Sequence, residues 1–210
     1  DNWRTEAPAL TVSALPEQLI AYSPASGAPL PPQDGTTLEI ITYPAGSETG
    51  AVPLEGAEGK VVLVRRGDST FHEKALAAQE SGAAGVIIDN NQPGAISATV
   101  EGPTPLTIPT ATISQADGDA IRAALADAET PPVTWTDETV VSDVATAGLV
   151  SDFSSYGLAA DLSIKPQVTA PGGLIHSAYP LDAVDDDGTG YATISGTSMA
   201  APHVAGAAAL

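Results

Sequence analysis

Ser198 is the residue of this sequence best placed to do chemistry. It follows Gly196-Thr197 and opens the small-residue run Met199-Ala200-Ala201-Pro202-His203-Val204-Ala205-Gly206-Ala207-Ala208-Ala209-Leu210, the composition of a helix that can pack closely. A serine at a helix N-terminus lies where unpaired N–H groups and the positive end of the dipole stabilise a developing oxyanion. Gly196 keeps the approach sterically open. With Ser198 in the first turn, the N–H missing at Pro202 is the one that would have bonded the Ser198 carbonyl, so proline is tolerated and stiffens that turn. The same residues also describe a serine that merely caps a buried alanine-rich helix. Local physics leaves both readings standing.

A serine nucleophile needs a base within hydrogen-bond reach and a carboxylate to orient that base. The histidines are His72, His176 and His203. At about 100° per residue, His203 falls roughly 140° around the helix from Ser198, so it is read as structural. His72 sits in the first turn of a predicted helix, where a solvated imidazole is the simpler reading. Asp185-Asp186-Asp187-Gly188 gathers carboxylates as a calcium loop would, but its spacing is not that of an EF-hand and a solvated acidic loop explains it better. Asp117 and Asp119 most simply serve the positive end of their helix. Cys is 0, which excludes disulfides, thiolate catalysis and cysteine metal sites.

The elements that must position these residues alternate in type. Thr37 to Ile41 is β-rich, and Lys60 to Arg66 is a short apolar run bracketed by charge, as a buried strand should be. Thr70-Phe71-His72-Glu73 carries a hydroxyl and, three residues on, a carboxylate, which together predict a capping box opening a helix that runs to about Ser81. Gly82 supplies a left-handed terminator, and Ala83 to Ile88 follows as a second buried strand before a turn at Asp89-Asn90-Asn91. The pattern repeats more weakly, with Ile108 to Ile113 extended, Ser114 to Asp117 opening a helix through Leu125, and Val133-Thr134-Trp135 as a last strand. The proline-dense stretch Ser23 to Gly35 reads as a linker or long surface loop. Ser81-Gly82-Ala83-Ala84-Gly85 ends a helix and enters a strand, the reverse of a phosphate-binding loop. Beyond Val140 the composition turns to Ser, Ala and Gly, and Tyr191 to Ile194 reads as a strand leading to the Ser198 segment.

Over 210 residues, 7 Lys+Arg stand against 26 Asp+Glu, a formal charge of −19. So few bases cannot form the stripe that grips a phosphate backbone, and the repulsion opposes binding to anionic membranes; neither nucleic acid nor membrane is an expected partner. The hydrophobic fraction of 43% with only 4% aromatics points to an α/β core of Ala, Val, Ile and Leu.

Gly196-Thr197-Ser198-Met199-Ala200-Ala201-Pro202-His203-Val204-Ala205-Gly206 resembles the nucleophile motif of subtilisin-like serine proteases position for position. Phe153-Ser154-Ser155-Tyr156-Gly157 and Lys165 to Gly172 resemble the segments that precede it, although Leu158 stands where the family often has proline and Gln167 where it usually has a carboxylate. Ala7 to Ala14 is similar to the strand after the oxyanion-hole asparagine. Lys60 to Gly67, Phe71 to Lys74 and Ser81 to Ile88 resemble the protease-associated domain, which is commonly inserted into large subtilases. The resemblance implies subtilisin-like α/β catalytic-domain segments at residues 1–37 and 137–210 flanking an inserted α+β protease-associated domain at 38–136. It implies Ser198 as the catalytic nucleophile, protein or peptide substrates, secretion, and no cofactor beyond a structural calcium in the full-length enzyme. The family's Asp-Thr-Gly and His-Gly-Thr motifs are absent, so these residues are expected to be an internal slice that is inactive alone. Two alternatives stay open: a binding or homodimerisation module built on the inserted domain, and a catalytically dead homologue.

Overall fold

The computed structural model describes the whole chain except residues 1–3, 16–17, 128–130, 144–147, 152 and 180–189. The chain forms two compact units, one at Glu6–Val141 and one built on Ser142–Leu210.

In the first unit the elements run β1 (Arg4–Val12), β2 (Ile20–Ala21), β3 (Ser23–Pro24), β4 (Thr37–Thr42), β5 (Val61–Arg65), α1 (Phe71–Glu80), β6 (Gly85–Asp89), β7 (Thr110–Ile113), α2 (Gln115–Asp127) and β8 (Pro132–Asp143). They make one mixed sheet in the order β2-β1-β8-β4-β5-β6-β7-β3. Its centre is parallel, β4 on β5, β5 on β6 and β6 on β7, whereas β8 joins β4 antiparallel. The outer strands β2 and β3 are separated only by Tyr22, so the sheet curls until its two edges meet and no long edge is left unpaired.

Period-two alternation explains how this sheet builds two cores. Val61 and Leu63 of β5, Ile87 of β6 and Ala111 and Ile113 of β7 face one side, with Tyr22, Ile121 and Trp135. Val62, Val64, Val86 and Ile88 face the other, against Ala75 and Ala78 of α1, whose small side chains let the helix lie close. Burial on both faces is why these parallel strands read as unbroken apolar runs. Tyr22 meets Trp135 edge-on, ring centroids 5.0 Å apart, and the two are the largest fully buried side chains.

The structure also draws in residues that the sequence assigns to a flanking segment. Leu10, Val12, Ile20 and Tyr22 share the first core with Ile40 and Val61, and β3 pairs with β7, so the proline-dense stretch begins inside the sheet. Pro24 is tolerated because it lies on an outermost strand, where one side of the ladder needs no donor.

The helix starts follow the capping chemistry. Thr70 Oγ1 accepts the Glu73 N–H at 3.2 Å, and the Thr70 N–H donates to Glu73 Oε2 at 2.8 Å. The Thr70 N–H and hydroxyl, both donating to the Glu73 carboxylate, hold that carboxyl below the usual carboxylate range. Gly82 takes φ 78° at the end of α1. At α2 the Asp117 N–H donates to Ser114 Oγ at 3.1 Å and Ser114 Oγ donates to Asp117 Oδ2 at 2.6 Å. Thr70→Ala is therefore expected to cost about 1 kcal/mol, read as a lower urea midpoint with an unchanged slope.

The second unit is sparser. It contains β9 (Gly157–Leu158), β10 (Ile164–Lys165), β11 (Ile175–Ala178), β12 (Tyr191–Ile194) and α3 (Thr197–Ala209). β9 pairs with β10 and β11 with β12, both antiparallel. Tyr156, Leu158, Leu162, Ile164 and Val168 are exposed, and α3 buries none of its residues. No helix of the described residues is long and apolar enough to cross a membrane.

Candidate functional site

Ser198 is the second residue of α3, in the first turn that the small-residue run predicts. Gly196 precedes the helix in extended conformation, with φ 164°, and no side chain caps the first turn. Met199 N–H bonds back to the Gly196 carbonyl at 3.1 Å. The start of the helix therefore presents main-chain N–H groups and the positive dipole end without a side-chain oxygen to neutralise them. Pro202 stands four residues after Ser198 inside the helix and leaves the Ser198 carbonyl without its helical donor. The Ser198 side chain is exposed.

The hairpin β11–β12 supplies the other wall. Ile175 pairs with Ile194 and Ala178 with Tyr191, and this register places one face of the hairpin beside the start of α3. Between them lies a groove of about 410 Å³ lined by Ile175, Ser177, Tyr179, Ile194, Met199 and Pro202, with Ser198 and His203 on its wall. Two hydrogen bonds tie the segment before the hairpin to the segment before the helix. Gly196 N–H donates to the Gly172 carbonyl at 2.7 Å, and Leu174 N–H donates to Ser195 Oγ at 2.8 Å.

None of the three histidines is poised as a base for Ser198. His203 borders the same groove, but its Nδ1 donates to the Met199 carbonyl at 2.8 Å, which turns the ring onto its own helix backbone. His176 bonds Thr193 Oγ1 through Nδ1 at 3.0 Å and stacks on Tyr191 with centroids 5.6 Å apart. His72 belongs to the other unit, where Nε2 donates to the Thr104 carbonyl at 2.9 Å. Among the described residues no imidazole hydrogen-bonds to a carboxylate and no group of three or more His, Asp or Glu side chains is placed to hold a metal. The acidic segment Asp185-Asp186-Asp187-Gly188, the calcium candidate, lies outside the described residues.

In the first unit the buried charged residues, Lys74 and Asp89, are committed to structure. Asp89, expected in a turn, ends β6 fully buried. It accepts Arg122 Nη2 at 2.6 Å, Arg122 Nη1 at 2.7 Å and Arg65 Nε at 2.8 Å. Asp119, expected only to serve its helix dipole, also pairs with Arg65. Sequence reasoning missed this cluster, as it missed Gly172 and Ser195. Its one sequence signal is a carboxylate directly after an apolar strand, a position that a surface turn explains equally well.

Residues 24–121 match the family described as the PA domain. The minor extracellular protease Vpr of Bacillus subtilis (strain 168) is 41% identical over 163 residues, which cover 76% of this chain and 19% of that protein. The PII-type proteinase of Lactococcus lactis subsp. cremoris is 40% identical over 158 residues, 73% of this chain and 8% of that protein. The C5a peptidase of Streptococcus pyogenes is 38% identical over 153 residues, 73% of this chain and 12% of that protein. The chain thus spans less than a fifth of the length of these relatives.

Proposed function

We propose, from the premise that this chain carries a PA domain set among sequence homologous to extracellular subtilisin-like proteinases, that it is the nucleophile-bearing part of a secreted serine endopeptidase. The observation that carries this reading is Ser198 itself: exposed, in an uncapped first turn, at the wall of an apolar groove.

The reaction follows from that placement. Ser198 Oγ attacks the scissile peptide carbonyl carbon, and its proton passes to an imidazole contributed by sequence outside these 210 residues, as does the carboxylate orienting that imidazole. The oxyanion that forms is held by main-chain N–H groups at the start of α3, where no side chain competes for them. Collapse expels the leaving amine, which takes the proton back, and water resolves the acyl-enzyme by the same route. The groove offers a surface on which an apolar substrate side chain rests during this sequence. The PA domain, with its own two cores, serves substrate access or protein interaction.

A second reading, a non-catalytic binding or dimerisation module, draws on the barrel of Glu6–Val141, which holds both of the described hydrophobic cores. One experiment separates the readings. A fluorophosphonate probe is expected to label Ser198 in the full-length protein encoded with this segment, whereas the 210 residues alone release nothing from a chromogenic peptide. A full-length protein unlabelled at Ser198 would mean a dead homologue or a binding module.

A further inference from the structure

We propose that Gly172 and Ser195 are positioning residues that set the first turn of α3 and so decide where the Ser198 hydroxyl stands; the proposal rests on the reading of Ser198 as nucleophile. Among the residues of 142–210 whose burial is described, Gly172 is the only one that is buried, and its nearest neighbours are the residues around Ser198. Its carbonyl accepts the Gly196 N–H at 2.7 Å. A Cβ at position 172 would stand 2.8 Å from the Gly196 carbonyl oxygen, 3.1 Å from Ala200 Cβ and 3.5 Å from Ala200 N. The first distance is shorter than carbon and oxygen tolerate. The obstacle is main chain, which cannot swing aside as the tip of a flexible side chain would. Gly172 is not among the residues of positive φ, so what demands glycine here is space and not backbone freedom.

Gly196 and Ala200 bracket Ser198 by two residues on either side, and displacing either displaces the nucleophile. Ser195 secures the same junction by a different bond. Its Oγ accepts the Leu174 N–H at 2.8 Å, and Leu174 sits at φ 51°, a left-handed conformation that a branched residue keeps only when its surroundings impose it. One main-chain bond and one side-chain bond therefore fasten residues 172–174 to residues 195–196. The tolerance is narrow, because a misplacement of about 1 Å at a reacting group costs on the order of 100-fold in rate.

The test uses the full-length protease encoded with this segment, comparing kcat, KM, the rate of fluorophosphonate labelling at Ser198 and the thermal midpoint. Gly172→Ala is expected to lower kcat and the labelling rate by about 100-fold with KM little changed. Ser195→Ala is expected to lower both by roughly 10-fold, and Ser195→Thr to restore them, since its hydroxyl can accept the same N–H. If Gly172→Ala does not fold, the Ser195 pair decides. Labelling and kcat within about twofold of the unsubstituted enzyme in Gly172→Ala and Ser195→Ala would overturn the proposal while leaving Ser198 as nucleophile. A Ser195→Thr variant no better than Ser195→Ala would remove Ser195 from it. An unsubstituted protein that is not labelled at all would overturn the functional reading and this proposal together.

Discussion

Ser198→Ala in the full-length protease is expected to lower kcat for peptide hydrolysis by about 10⁴- to 10⁶-fold while leaving the fold intact. Both halves of this expectation follow from where the residue stands. On the proposed mechanism the hydroxyl is the atom that forms the acyl bond, and an alanine methyl has no substitute for it. The structural role of the side chain is small: Ser198 is exposed, and no side-chain bond caps this helix start. Alanine is also the better helix former, so the change in stability should stay within about 0.5 kcal/mol. A residual rate from oxyanion stabilisation and substrate binding alone is expected to survive. Steady-state turnover of a peptide substrate and a urea melt of the same preparation check the two halves together. Turnover by Ser198→Ala at anything near the unsubstituted rate would remove Ser198 from the reaction.

Much of this was legible residue by residue, and what was not has a common cause. Thr70 and Glu73 announce a helix start because the bonds they make span three residues, a distance that pattern reading handles well. Val61 to Val64 announce a buried strand because burial on both faces leaves no alternation to confuse. By contrast β2 and β3 have two residues each, too short for any periodicity, and the prolines around Pro24 point to a loop. Only their pairing with β1 and β7 makes them strands. The place of Ser198 in a first turn was readable from Gly196 and the small residues after it. The groove beside it was not, because its far wall depends on Ile175 pairing with Ile194 across the hairpin. Asp89 was hidden for the same reason: its guanidinium partners lie 24 and 33 residues away.

Those partners make Asp89 a residue of the PA domain whose loss should be strongly destabilising. Its carboxylate is fully buried, and it receives two nitrogens of Arg122 and the Nε of Arg65, so β5, β6 and α2 meet at one negative charge. The approach is tight: a Cβ at Gly118 of α2 would come within 2.4 Å of Asp89 Cβ. Nearby, Lys74 of α1 is also fully buried, its ammonium bonded to the Thr49 carbonyl. Burial pushes that ammonium below its ordinary value, while Asp68, Glu73 and Asp89 pull the other way. Asp89→Ala would strand the largely buried guanidinium of Arg122, leave Arg65 with only the exposed Asp119, and remove one of the charges that favour ionised Lys74. Breaking a buried pair on one side costs about 3–5 kcal/mol, because the surviving charge keeps its desolvation penalty and loses its compensation. Asp119→Ala supplies the control: that carboxylate also meets Arg65, but its side chain is 57% exposed, and a solvated pair contributes only about 0–1 kcal/mol. Urea denaturation of the two variants should therefore separate them by several kcal/mol. Equal, small losses would mean that packing of the two cores, and not this ion cluster, holds α2 to the sheet.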